Sequence, residues 1–129
     1  MTHPNEALTR EALAAFQRGD MDAIQAYLAP NIVWHVPGRG QLAGDFTGVG
    51  EVLGFFGKTM ELSNGTFRLE VHDVLANDEH AAVLSTITAE REGRSLHSNG
   101  VQILHIQDGR AVESWLHPDD QYAVDEFWA

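Results

Sequence analysis

His35, Gln102 and the Asp119–Asp120 pair are the groups in this sequence whose type and surroundings could carry chemistry. His35 titrates near neutral pH and could serve as a base. It follows Trp34 in the run Ile32-Val33-Trp34-His35-Val36, where strand alternation sends the two rings to opposite faces. The Pro37-Gly38 turn beside His35 can re-aim its side chain, which makes it the best histidine candidate. Trp34 shares a face with Val36 and reads as a wall residue rather than a catalyst. In the later run from Ser95, the residues Ser98, Gly100, Gln102, Leu104 and Ile106 share a face. Gln102 is the one long polar group among them, so it is expected to line a pocket and donate to a carbonyl. His97 and His105 occupy the opposite face, too far apart at about 3.3 Å per residue to hold one metal together. No His, Asp or Glu group has ligand spacing of the His-Glu-x-x-His kind, so no metal is expected. The chain has no cysteine, which excludes disulfide scaffolds, thiolate zinc sites, iron–sulfur clusters and thiol catalysis. Gly38-Arg39-Gly40 is too short for a phosphate cradle and lacks the Lys-Ser/Thr of a P-loop.

The elements that must position these groups fall into two halves. Leu8, Ala12, Ala15 and Phe16 recur at helical spacing after Pro4, and Gly19 ends that run. Asp20 can cap a short second helix carrying Ile24, Tyr27 and Leu28, stopped by Pro30. Ile32 to Val36 is a strand, Gly38 to Gly50 a glycine-rich loop, and Val49, Val52, Leu53, Phe56 and Met60 mark a third helix. Four strand-like runs follow: Phe67 to Leu75, Ala81 to Arg91, Ser95 to Gln107 and Arg110 to His117. Asn77-Asp78, Glu92-Gly93 and Asp108-Gly109 are the turns between them. Asp119 or Asp120 can cap a final helix carrying Tyr122, Val124 and Phe127. Helices followed by a strand meander indicate α+β, and with no repeat or linker the whole of residues 1–129 reads as one domain.

The composition narrows the partners. The 129 residues are 43% hydrophobic, and a formal charge of −11 argues against both a nucleic-acid backbone and an anionic membrane surface. No apolar run approaches the roughly 20 residues that span a bilayer. Met1 to Asn5 leads straight into the helical pattern rather than a signal peptide, so a cytoplasmic protein is expected.

The element order resembles the nuclear transport factor 2-like superfamily, and more closely its ketosteroid-isomerase-like and SnoaL-like branch. The likeness rests on Ala14-Ala15-Phe16-Gln17-Arg18-Gly19-Asp20, Leu28 to Gly38, Leu42 to Gly48 with Phe55-Phe56, Asp108 to Trp115, and the tail from Asp120 to Trp128. It implies a cone: a curved antiparallel sheet wrapped over three helices, with an apolar pocket on the concave face and a homodimer formed through the outer sheet face.

The resemblance to the isomerase branch implies a carboxylate base and an oxyanion hole made by a tyrosine and a protonated aspartic acid. Those places fall here on Val36, Ala12 and Gln102, so steroid isomerisation by that mechanism is not expected. The SnoaL type instead uses an aspartate just after the tryptophan-bearing last strand, which points to Asp120 as acid/base, assisted by His35. Gln102, Trp34, Val36, Phe56, Leu104 and His117 then make up the expected substrate contacts. The expected function is a cofactor-free acid/base enzyme of cyclase, isomerase or dehydratase type acting on a small apolar carbonyl compound. The alternative is a binder or interaction module on the same fold, which would present Gln102 and Trp34 without a titratable group inside.

Overall fold

In the computed structural model, which describes residues 2–129, Pro4 opens the first helix and His3 caps it by accepting the Asn5 N–H on its imidazole. The chain then runs α1 (Pro4–Gln17), α2 (Met21–Tyr27), β1 (Leu28–Val36), β2 (Gly44–Thr47), α3 (Val49–Leu62), β3 (Arg68–Ala76), β4 (His80–Arg91), β5 (Arg94–Gln107), β6 (Arg110–Pro118) and α4 (Gln121–Phe127). The six strands form one curved, unclosed sheet in the order β2-β1-β6-β5-β4-β3. The α+β cone is therefore present, and α4 is the final helix expected after Asp119 and Asp120.

Three details differ from the sequence reading. The sheet is not wholly antiparallel, because β1 and β6 run parallel. The stretch read as a glycine-rich loop contains β2, four residues that cover the free edge of β1 in the register Val33↔Thr47 to Val36↔Gly44. So short a strand has no room to show a period of two. Pro30 also lies inside β1 rather than merely ending α2. The β1–β6 register breaks between Leu28 and Val33, so the N–H that proline lacks falls where the ladder is interrupted.

The core sits between the concave sheet face and the helices. Ile32 and Val52 are fully buried, with Val74 and Val83 beside them. Val52, Phe56 and Thr59 give α3 one buried face, while Met60, expected on that face, is 37% exposed. Phe16, Trp34, Phe55 and Phe56 pack mostly edge-on or tilted, the arrangement aromatic quadrupoles favour. A second cluster of Leu42, Ala89, Leu96, Phe127 and Trp128 seats α4. Among the described residues no helix is long and apolar enough to cross a membrane.

Candidate functional site

The space between sheet and helices is not filled. A cavity of about 200 Å³ remains, walled on the helix side by Ala12, Leu13, Phe16, Phe55 and Phe56. Strand alternation aims Trp34 and Val36 of β1 and Gln102 and Leu104 of β5 at the same space. His117 reaches it only at the rim, where it is exposed, and alternation along β6 puts its ring on the face of Trp115. Five of the six expected contact residues thus stand on the wall and the sixth at its edge.

Neither residue expected to carry acid/base chemistry reaches the cavity. His35 points to the outer sheet face, as simple alternation against Trp34 requires, and the Pro37-Gly38 turn does not re-aim it. Its ring stacks on Trp115, with Nδ1 2.7 Å from Asp45 and Nε2 2.6 Å from Glu113. The Glu113 bond, then the Asp45 bond, raise its pKa above the ordinary 6.5. Asp120 is the N-cap of α4, its carboxylate accepting the Ala123 N–H at 3.2 Å, and it is exposed outside the wall. Helix capping claims the side chain that the family comparison assigned to chemistry. Asp119 is exposed as well, and its backbone N–H donates to the Asn99 carbonyl.

Other groups take their place. Tyr27 and Thr9 meet in the cavity wall, hydroxyl to hydroxyl at 2.8 Å. Burial pushes the Tyr27 phenol up to about 12, so it stays neutral across the physiological range. Asp125 stands at the mouth, accepting the Arg39 N–H at 2.8 Å and the Gln121 side-chain amide at 3.0 Å. Those bonds, the Arg39 N–H first, hold its carboxyl below the ordinary carboxylate value. Ser85 and Ser98 add hydroxyls to the sheet wall. The i,i+4 pair Gln121–Asp125 was the available signal for the mouth. Nothing local marked Thr9 or Ser85 as wall residues.

Ala12, Val36 and Gln102, where the resemblance aligns the isomerase groups, all line the cavity, as a methyl, an isopropyl and a neutral amide. Among the described residues no group of three or more His, Asp or Glu is arranged to hold a metal ion.

Comparison with known proteins agrees with this fold. The SnoaL-like domain family matches residues 9–114. An uncharacterized protein of Mycobacterium tuberculosis is 32% identical over 123 residues, covering 95% of this chain and 94% of its own. The structure of Bal32a, from a soil-derived mobile gene cassette, superposes with a TM-score of 0.94 at 33% identity, over 98% of this chain and 97% of that one. A protein of unknown function with a cystatin-like fold from Xanthomonas campestris gives 0.91 at 32%, over 97% and 98%.

Proposed function

We propose, from the premise that this chain belongs to the SnoaL-like domain family, that it binds a small, largely apolar molecule in the cone and holds it without acid/base chemistry. One observation carries this reading: a cavity of about 200 Å³ is lined by neutral groups apart from Asp125 at its mouth and His117 at its rim. A general acid or base needs a pKa near the working pH. Tyr27, at about 12, is far from it. Asp125, already tied to three donors, is shifted the other way. Size narrows the ligand further. An engineered apolar cavity of about 150 Å³ takes up benzene, so this one suits a compound of one or two rings.

The catalytic alternative keeps one foothold, because the Asp125 carboxylate does line the mouth. An Asp125→Asn variant separates the readings, since a binder retains its ligand whereas an enzyme using that carboxylate loses turnover.

The direct test is thermal unfolding with mono- and bicyclic compounds. A ligand at about 100 times its dissociation constant adds roughly 2.7 kcal/mol, a shift of several degrees for a domain this size. No shift from any compound of that size would overturn the reading.

A further inference from the structure

The cavity wall has two chemistries, divided by element. On the helices the polar groups already have partners, Thr9 with Asn5 and Tyr27, Thr59 with Phe55 and Gln121 with Asp125, whereas the sheet carries a contiguous polar track across four strands. On β4 it begins with Ser85, whose cross-strand partner on β5 is Gly100. Ser98 and Gln102 flank that glycine on the same face of β5. The Gln102 amide bonds to the Ser114 hydroxyl of β6 at 2.9 Å, and Ser114 stands in register with Trp34 of β1.

Most of this track is buried without being used by the fold. Ser85 and Ser98 are 9% and 6% exposed and line the cavity, yet no protein group pairs with either hydroxyl among the described residues. Trp34, 8% exposed, keeps its indole N–H covered with no acceptor; it is the one fully covered side-chain polar atom so left among the described residues. Gln102 spends one end of its amide on Ser114. Buried polar groups are nearly always paired, and each that is not costs stability. A wall made only to enclose hydrocarbon would carry alanine and leucine here.

We infer that the track from Ser85 through Ser98 to Gln102 selects the ligand, and that the ligand is a neutral ring compound bearing an oxygen, such as a cyclic ketone. This rests on the binding function proposed above and adds the chemical class. An oxygen laid against the sheet wall meets hydroxyl and amide donors there, while the ring carbons face Phe16, Phe55 and Phe56. A carboxylic acid is the wrong partner. No Lys or Arg side chain lines the cavity, and Asp125 holds a negative charge at its mouth. A carboxylate would enter past one anion and stay unpaired in an apolar space.

The test measures affinities of 1-tetralone, tetralin and tetralin-1-carboxylate for the wild-type protein and for the Ser85→Ala/Ser98→Ala double variant. The ketone-to-hydrocarbon affinity ratio is expected to fall about tenfold in the variant, tetralin itself binding as before, with the carboxylate weakest throughout. An unchanged ratio, or a carboxylate that matches the ketone, overturns the inference and leaves the cavity function standing. If tetralin and tetralone both fail to bind, the cavity function falls and this inference with it. Melting of the ligand-free proteins supplies a second readout. Hydroxyls kept for a ligand are a burden to the empty fold, so the variant should melt at or above the wild-type temperature; a clear drop would show that the serines serve the fold instead.

Discussion

At the scale of single residues, the Thr9–Tyr27 pair can be followed proton by proton. Thr9 Oγ1 donates to the Asn5 carbonyl at 2.7 Å, and a hydroxyl has one proton to give. The contact with Tyr27 must therefore use the phenol proton, which leaves Thr9 as acceptor there. Thr9→Val should strand the buried phenol and cost about 1–3 kcal/mol, while Tyr27→Phe removes the donor with its proton and costs about 1 kcal/mol. Calorimetric melting would check the order, and a reversed order would contradict the assigned proton. His35 offers a prediction in pH. Its folded pKa is raised, so its contribution is complete below the unfolded value of 6.5 and fades as pH climbs through the raised one. His35→Gln is expected to melt below wild type at about pH 5.5, with the gap closing toward about pH 9. Equal melting at the acidic end would show that the bonds to Glu113 and Asp45 add nothing to the folded state.

Among the elements, α4 decides how the mouth is closed. Gly38 has φ of +98°, and a Cβ there would run into the ends of Asp125 and Gln121. Gly38→Ala should cost about 1–2 kcal/mol in backbone strain and push the Asp125 carboxylate off the Arg39 N–H. Faster hydrogen exchange confined to α4 and the 37–43 segment is the expected signature; uniform protection would mean that this contact does not seat the helix. The elements also show what local signals can and cannot carry. Glu92-Gly93 and Asp108-Gly109 each place two successive residues at positive φ, the demand of a tight two-residue hairpin, and so the β4–β5–β6 meander is legible from those pairs. Alternation likewise suffices to aim Trp34, Val36 and Gln102 inward. It fails for the mouth, because Asp125 becomes a cavity residue only through contacts with Arg39 and Gly40, which lie far away in sequence. Asp120 misled for a related reason: the same side chain suits a helix cap and a family's catalytic place, and only the assembled structure separates the two. Ser85 gave no local sign, since a lone serine in a strand is ordinary until the space opposite it proves empty.

For the molecule as a whole, the empty core sets stability against binding. Ala12 lines the cavity from α1, and Ala12→Leu would grow into the space. It should stabilise the fold by about 0.5–2 kcal/mol, as cavity-filling changes commonly do, and abolish uptake of two-ring compounds. A variant that is more stable and still binds would place the ligand elsewhere. We propose also that two chains pair through the outer sheet face, where Leu84 is 36% exposed and Ile103 is cross-strand partner to Trp115. Sedimentation at micromolar concentration should find a dimer that Ile103→Lys splits, whereas a wild-type monomer would rule the pairing out. The parallel seam between β1 and β6 carries a consequence in time. It joins residues as distant as His35 and Glu113, 78 positions apart, so both walls of the cone depend on a pairing that closes a long loop. Hairpins can form while that seam is still open, but the cavity cannot. Refolding is therefore expected in milliseconds to seconds, the range of nonlocal sheet topologies. Because the cavity forms so late, a ligand should slow unfolding far more than it speeds folding.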